Sequence, residues 1–298
     1  MKKKSLSVIA GLLLIAFSSQ AHAHLLWVNL YESFAHPPGH AIASIGWGHV
    51  LPMDDFLVSK TGSIQLAGYE LIDPDLKSTA LPLPDVKIHE KMKTSSGMTF
   101  QSGDLGIRKF GLTEKTKPGA YQVVVTSRDN FFSKYLDKKG KQKWAGKAMD
   151  EIKDAQKILS GLKYKSFAKA YFTVGKWTEP KALGHDLEII PTTDLSNVHM
   201  GDMVSFEVTF MGRPLSSSPE KSLEYLTATS NAFGGPDGFF IGAMIFNGKA
   251  QFRMPVAGQW VVNVYFSQDV TPKNELKHLA DKCTRVVYAG SVSFHVKP

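Results

Sequence analysis

Short runs of alternating apolar and polar residues dominate this chain. Residues 25–30, LLWVNL, read as a strand. A proline-rich turn follows at His36-Pro37-Pro38-Gly39, and residues 40–45 alternate up to Gly46-Trp47-Gly48-His49. Similar β-like runs sit at 63–66, 86–91, 98–101, 121–126 and 170–174, separated by turns such as Lys117-Pro118-Gly119. Residues 144–162 break this pattern. Ala145, Ala148, Met149, Ile152, Ala155, Ile158, Leu159 and Leu162 recur at three- and four-residue steps, which predicts a helix with a solvated lysine face, ended near Gly161.

Residues 179–183 read as a linker. Beyond Gly184, strands are expected at 187–190, 203–210, 225–230, 238–246, 249–254, 258–266 and 286–296, with a short helix near 272–281. Turns fall at Gly212-Arg213-Pro214, Gly234-Gly235-Pro236-Asp237-Gly238 and Asn247-Gly248. The expected fold class is mainly β. Two β-sandwich modules, immunoglobulin- or transthyretin-like, would occupy 24–180 and 184–298, with the helical insertion near 145–162 in the first.

Composition narrows the function. The 298 residues are 43% apolar and 21% charged, which excludes a disordered tail and a polytopic membrane protein. Cys283 is the one cysteine, so an internal disulfide or a cysteine-based zinc or iron–sulfur site is excluded. The net charge is +8, and Lys2, Lys3 and Lys4 supply three of those charges. They open a secretory signal: a basic start, an apolar run at 6–17, and a small-x-small site at Ala21-His22-Ala23. Residues 1–23 are expected to be removed, leaving a periplasmic or secreted chain of 298 − 23 = 275 residues with a net charge of 8 − 3 = +5. That mild charge gives no reason to expect a nucleic-acid partner. No later run of about 18 apolar residues predicts membrane insertion after cleavage.

The new N-terminus carries the strongest chemical signal. Cleavage after Ala23 makes His24 the first residue, with its α-amine and ring Nδ1 able to chelate one ion. Cleavage after Ala21 instead leaves His22-Ala23-His24, in which amine, two amides and the third-position imidazole make a square-planar set. His49 is the next ligand candidate, because a strand ending there would lie beside the terminus if it pairs with 25–30. His40 and His36 are further candidates that could approach at their turn. Asp54 and Asp55 follow closely, but adjacent residues on an extended chain point apart. His295 is placed on the solvent face of the last strand. His89, His185, His199 and His278 are weaker candidates still.

No Gly-x-Ser-x-Gly elbow, His-Glu-x-x-His pair or Walker A loop is present, and no enzyme activity is expected. Cys283 reads as a buried, inert thiol.

Two stretches carry a family resemblance. One is Ala23-His24-Leu25-Leu26-Trp27-Val28 with Gly48-His49-Val50-Leu51-Pro52. The other is Gly184-His185-Asp186-Leu187-Glu188-Ile189-Ile190-Pro191, then Gly201-Asp202-Met203-Val204-Ser205-Phe206 and Gly212-Arg213-Pro214-Leu215. Together they resemble the exported substrate-specific components of nickel and cobalt uptake systems, a family largely grouped as a domain of unknown function. The resemblance implies a periplasmic β-rich protein that binds Ni2+ or Co2+ through His24 and His49 and serves a membrane metal transporter. Some related components end in a membrane helix, whereas this chain ends in a strand. The opening Ala-His-Ala-His-Leu is also similar to periplasmic copper-resistance carriers, which keeps Cu2+ as an alternative ion. A structural or adhesive sandwich that binds a polymer or protein partner is the alternative without a metal. A copper protein with a terminal-histidine site is the other alternative.

Overall fold

The computed structural model describes residues 24–59, 62–218, 223–233 and 240–298. The expected signal at 1–23, including His22, and the 234–238 turn lie outside the described residues. The fold is mainly β. Its principal strands are β1 (Leu25–Ser33), β2 (His40–Gly48), β3 (Leu66–Ile72), β4 (Arg108–Gly111), β5 (Gly119–Ser127), β6 (Asn130–Asp137) and β7 (Ala155–Val174). In the second half they are β8 (Leu187–Pro191), β9 (Met203–Phe210), β10 (Tyr225–Ser230), β11 (Ile241–Met244), β12 (Lys249–Arg253), β13 (Gly258–Asp269) and β14 (Arg285–Lys297).

One mixed sheet runs through both halves in the order β11-β10-β13-β14-β7-β5-β3. Its centre is the parallel pairing of β7 with β14, from Leu162 opposite Arg285 to Ala170 opposite Ser293. Alternation along β7 gives the sheet two differently covered faces. Ala168, Ala170 and Phe172 join a core with Leu26, Val28, Ala43, Ile45, Val123 and Val125 beneath the β1-β2-β4 layer. Phe167 and Tyr171, facing the other way, join a core with Leu187, Ile189, Val204, Phe206, Trp260 and Phe294 beneath the β8-β9-β12 layer. The two halves thus keep separate apolar cores but share a backbone sheet.

The helical insertion expected at 145–162 is not there. Residues Met149–Glu151 form a single 3-10 turn, and β7 starts at Ala155. The start of β7 is held by backbone pairing with β6 on one side, and with β14 from Leu162 onward on the other. Two register shifts interrupt the β6 pairing, and several side chains there stay exposed. Burial therefore imposes no clean two-residue period, and the accidental three- and four-residue spacing of its apolar residues resembles a helix. The short helix near 272–281 is a 3-10 segment, Glu275–Leu279, capped by the Asn274 side chain on the Leu276 amide. Among the described residues, no helix is long and apolar enough to cross a membrane.

The last strand differs from expectation in a way that matters for the site. Ser291 and Ser293 are buried, because β1 lies across that face of β14. Serine hydroxyls can be buried there because each donates to a β1 carbonyl oxygen. His295 keeps an exposed edge, but its Nε2 sits 3.0 Å from the Leu30 carbonyl oxygen.

Candidate metal centre

The β1–β2 hairpin builds the candidate site. Its antiparallel register pairs Leu25 with Gly48 and Leu26 with Trp47. One further step sets His24 opposite His49. Side chains one position apart alternate faces, so His24, Leu26, Trp47 and His49 share one face. The His24 and His49 rings meet edge to face, with centroids 4.6 Å apart and planes at 62°. Trp47, almost fully buried, puts its ring 4.3 Å from His24. With metal–nitrogen bonds of about 2.0–2.1 Å, two imidazoles at neighbouring corners of one ion have centroids roughly 4.5 Å apart. The observed spacing fits two ligands of a single ion.

Glycine at two positions lets neighbouring side chains pack onto β2 beside the pair. A Cβ on Gly46 would stand 2.0 Å from the Trp27 indole, which crosses the strand there. Gly48 has φ +143°, and a Cβ on it would stand 2.5 Å from Asp54 Oδ2. That carboxylate accepts the His49 backbone N–H at 2.7 Å. Asp55 accepts the Phe56 N–H. The two adjacent carboxylates therefore serve the backbone and do not form a facing pair.

A buried polar network ties the loop after His49 to β1. Asn29 Oδ1 accepts from Trp27 Nε1 at 2.9 Å and from Gln259 Nε2 at 2.7 Å, while its Nδ2 donates to Ser44 and to the Pro52 carbonyl. Each partner satisfies a group that would be costly to bury alone. The outer edge of β1 is fixed as well. Tyr164 donates its hydroxyl to the His24 carbonyl at 3.2 Å, Ser291 donates to Leu26 at 2.7 Å, Ser293 to Val28, and His295 faces Leu30. Every second carbonyl, from 24 to 30, is thus capped by a side chain from β7 or β14. Burial pushes the Tyr164 phenol up to about 12, so it stays a donor at neutral pH.

Electrostatics keep the His24 ring available as a ligand. Burial lowers its pKa and the charge of His49 lowers it further, against the opposing pull of Asp54 and Asp55. The other two candidates are elsewhere. His40 pairs with Ser33, eight residues along the same ladder from the Leu25–Gly48 end, a separation of about 26 Å at about 3.3 Å per residue. His36 lies exposed in the turn beyond it. The antiparallel register that joins His24 to His49 carries both to the far end, so neither can complete an ion held by that pair.

Among the described residues, no group of three His, Cys, Asp or Glu side chains is arranged to hold a metal. The His24–His49 pair by itself offers two imidazoles.

A second polar centre, without a clear signature in the sequence pattern, lies on the opposite face of β7. Lys169 and Glu188 form an ion pair at 2.8 Å with side chains 2% and 1% exposed. Glu188 also accepts the N–H groups of Leu183, Gly184 and His185. Burial alone would raise its pKa, but the charge and hydrogen bond of Lys169 with the Leu183 amide hold it below the usual range. His185 stacks on Phe167 at 4.8 Å, and burial with the nearby Lys169 charge lowers it to about 4. The Gly184-His185 segment follows the 179–183 linker in sequence, and nothing there announces a buried lysine in the strand it covers. Cys283 is fully buried, and burial pushes its thiol up.

The sequence profile of a family described as Domain of unknown function (DUF4198) matches residues 21–268. The chain belongs to this family. The DUF4198 match takes in His24, His49, the loop that follows and the Lys169–Glu188 pair, and ends within β13. No curated protein matches the chain.

Proposed function

We propose that this DUF4198 protein is an exported carrier of a divalent transition metal, nickel or cobalt, which supports uptake by capture and release. The observation that carries the reading is the His24–His49 ring pair at 4.6 Å, at the start of the first strand. Removal of residues 1–23 would give His24 a free amine. Amine, His24 ring and His49 ring would then supply three nitrogen donors, a set suited to Ni2+, Co2+ and Cu2+. No bond of the cargo is made or broken beyond its coordination. The chain's own work is to fix the two rings through the hairpin register, wall one side with Trp47, and hold His49 through Asp54. A membrane metal transporter is the partner that this role implies. The resemblance to nickel and cobalt uptake components favours those ions. The all-nitrogen donor set also suits Cu2+, which ranks above both in general affinity, so a terminal-histidine copper protein is the second reading.

The amine is the donor to test. An α-amine titrates near 7.7–8.0 and lysine near 10.4, so mild acylation near neutral pH blocks the terminus selectively. In calorimetric titrations, protein beginning at His24 should take one Ni2+, Co2+ or Cu2+ per chain. The acylated protein should bind at least about 100-fold more weakly, the upper end of the effect of losing even an outer partner of a metal ligand. The order of affinities identifies the cargo. Equal binding after acylation, or no binding by either protein, would overturn the proposal and favour the polymer- or protein-binding sandwich.

A further inference from the structure

Tyr164 occupies a place that its packing alone does not explain. It lies on β7, far from His24 in sequence, and is buried with its hydroxyl 3.2 Å from the His24 carbonyl oxygen. The ladder between β1 and β2 begins only at Leu25 opposite Gly48. His24 is therefore one residue outside the paired strand, where a chain end ordinarily frays. Its carbonyl is nevertheless held from the side opposite β2. The caps farther along, Ser291, Ser293 and His295, act on residues that β2 already holds.

We infer that Tyr164 is the positioning residue of the metal centre, fixing the His24 peptide plane so that the terminal amine and ring are aimed together at one ion beside His49. The inference rests on the carrier reading. The geometry behind it is direct. The chelate closed by the amine and ring nitrogen is shaped by the His24 side-chain torsions, and its aim toward His49 depends on where the backbone holds the His24 Cα–C bond. The His24 carbonyl lies in the peptide plane that contains that bond, so a hydrogen bond to it fixes the bond's position and leaves one backbone torsion for binding to set. Anchoring it removes a freedom that binding would otherwise have to remove, which is preorganisation. Because β7 also runs through the central sheet, the anchor belongs to the most extensively paired part of the fold.

The test uses mature protein beginning at His24, with Ni2+ for affinity and Cu2+ as a spectroscopic probe. Tyr164→Phe keeps the ring and removes the hydroxyl. It should weaken Ni2+ binding by about 10-fold, the lower end of the effect of removing an outer partner of a metal ligand. It should also alter the Cu2+ electron paramagnetic resonance spectrum, while the metal-free melting temperature changes little. Ser291→Ala, which removes the next cap along, should leave affinity within about twofold and the spectrum unchanged. If both variants weaken binding equally with unchanged spectra, Tyr164 acts only by general support of β1 and the inference fails. If the wild type binds and Tyr164→Phe binds identically, the inference fails and the carrier reading stands. If the wild type binds neither ion, both fail together.

Discussion

Lys169→Met is expected to destabilise the protein by about 3–5 kcal/mol, the cost of leaving one member of a buried ion pair without its partner. Methionine matches the length of the lysine stem, so the loss reports charge more than volume. Glu188 would remain in a site where it is 1% exposed, facing three loop amides but no cation. For a chain of this size the melting temperature should fall by roughly 10 °C. Adding Glu188→Gln should restore part of the loss, since a neutral amide can still accept from the Leu183–His185 turn. The same centre makes the wild type acid-sensitive. The His185 pKa is about 4 when folded and 6.5 ordinarily, so below pH 6.5 the unfolded chain takes up a proton that the folded chain refuses. Its contribution is therefore present above pH 6.5 and is lost as pH falls toward about 4. Glu188, also held low, acts in the same direction below its ordinary value of 4.5. Thermal scans across pH 4–7 check this. A melting temperature for Lys169→Met within about 2 °C of wild type would show that the pair does not stabilise the join between the two halves.

His49→Ala should remove one of the two rings and lower Ni2+ affinity by about 100-fold or more. The rings sit where the hairpin delivers them, so the metal-free fold should survive the change. Wild-type binding should weaken as pH falls, because amine and imidazole ligate only when unprotonated. The amine, near 7.7–8.0 when unperturbed, competes first. The His24 ring, lowered by burial and then by His49, stays neutral further into acid than an ordinary imidazole. Equilibrium dialysis at pH 8, 7, 6 and 5 follows both effects. Retention of full affinity by His49→Ala would remove the ring pair from the account.

The hairpin was the most legible part of the site. A strand at 25–30, a proline-rich turn and an alternating run to His49 show in the pattern; their pairing did not, and it is the observed register that brings His24 to His49. The same antiparallel logic carries His36 and His40 away, which sequence proximity had concealed. The mainly β class was legible too. The helix expected at 145–162 was not excluded by pattern, because β7 there is held by long-range pairing with β6 and β14 and only partly by burial. The alternating Ser291, Ser293 and His295 were visible but read as a solvent face. Only the position of β1 shows that hydroxyls can line an interior by capping carbonyls. Tyr164 and Lys169 left no local signal, since their partners lie 140 and 19 residues away.

In the carrier reading His24, as a free chain end, holds a metal ion with His49. Native mass spectrometry of exported, untagged wild-type protein measures both parts together. The expected mass begins at His24 and includes one nickel, cobalt or copper ion, lost in His24→Ala. A chain that begins elsewhere, or one that stays metal-free in the presence of all three ions, would contradict it.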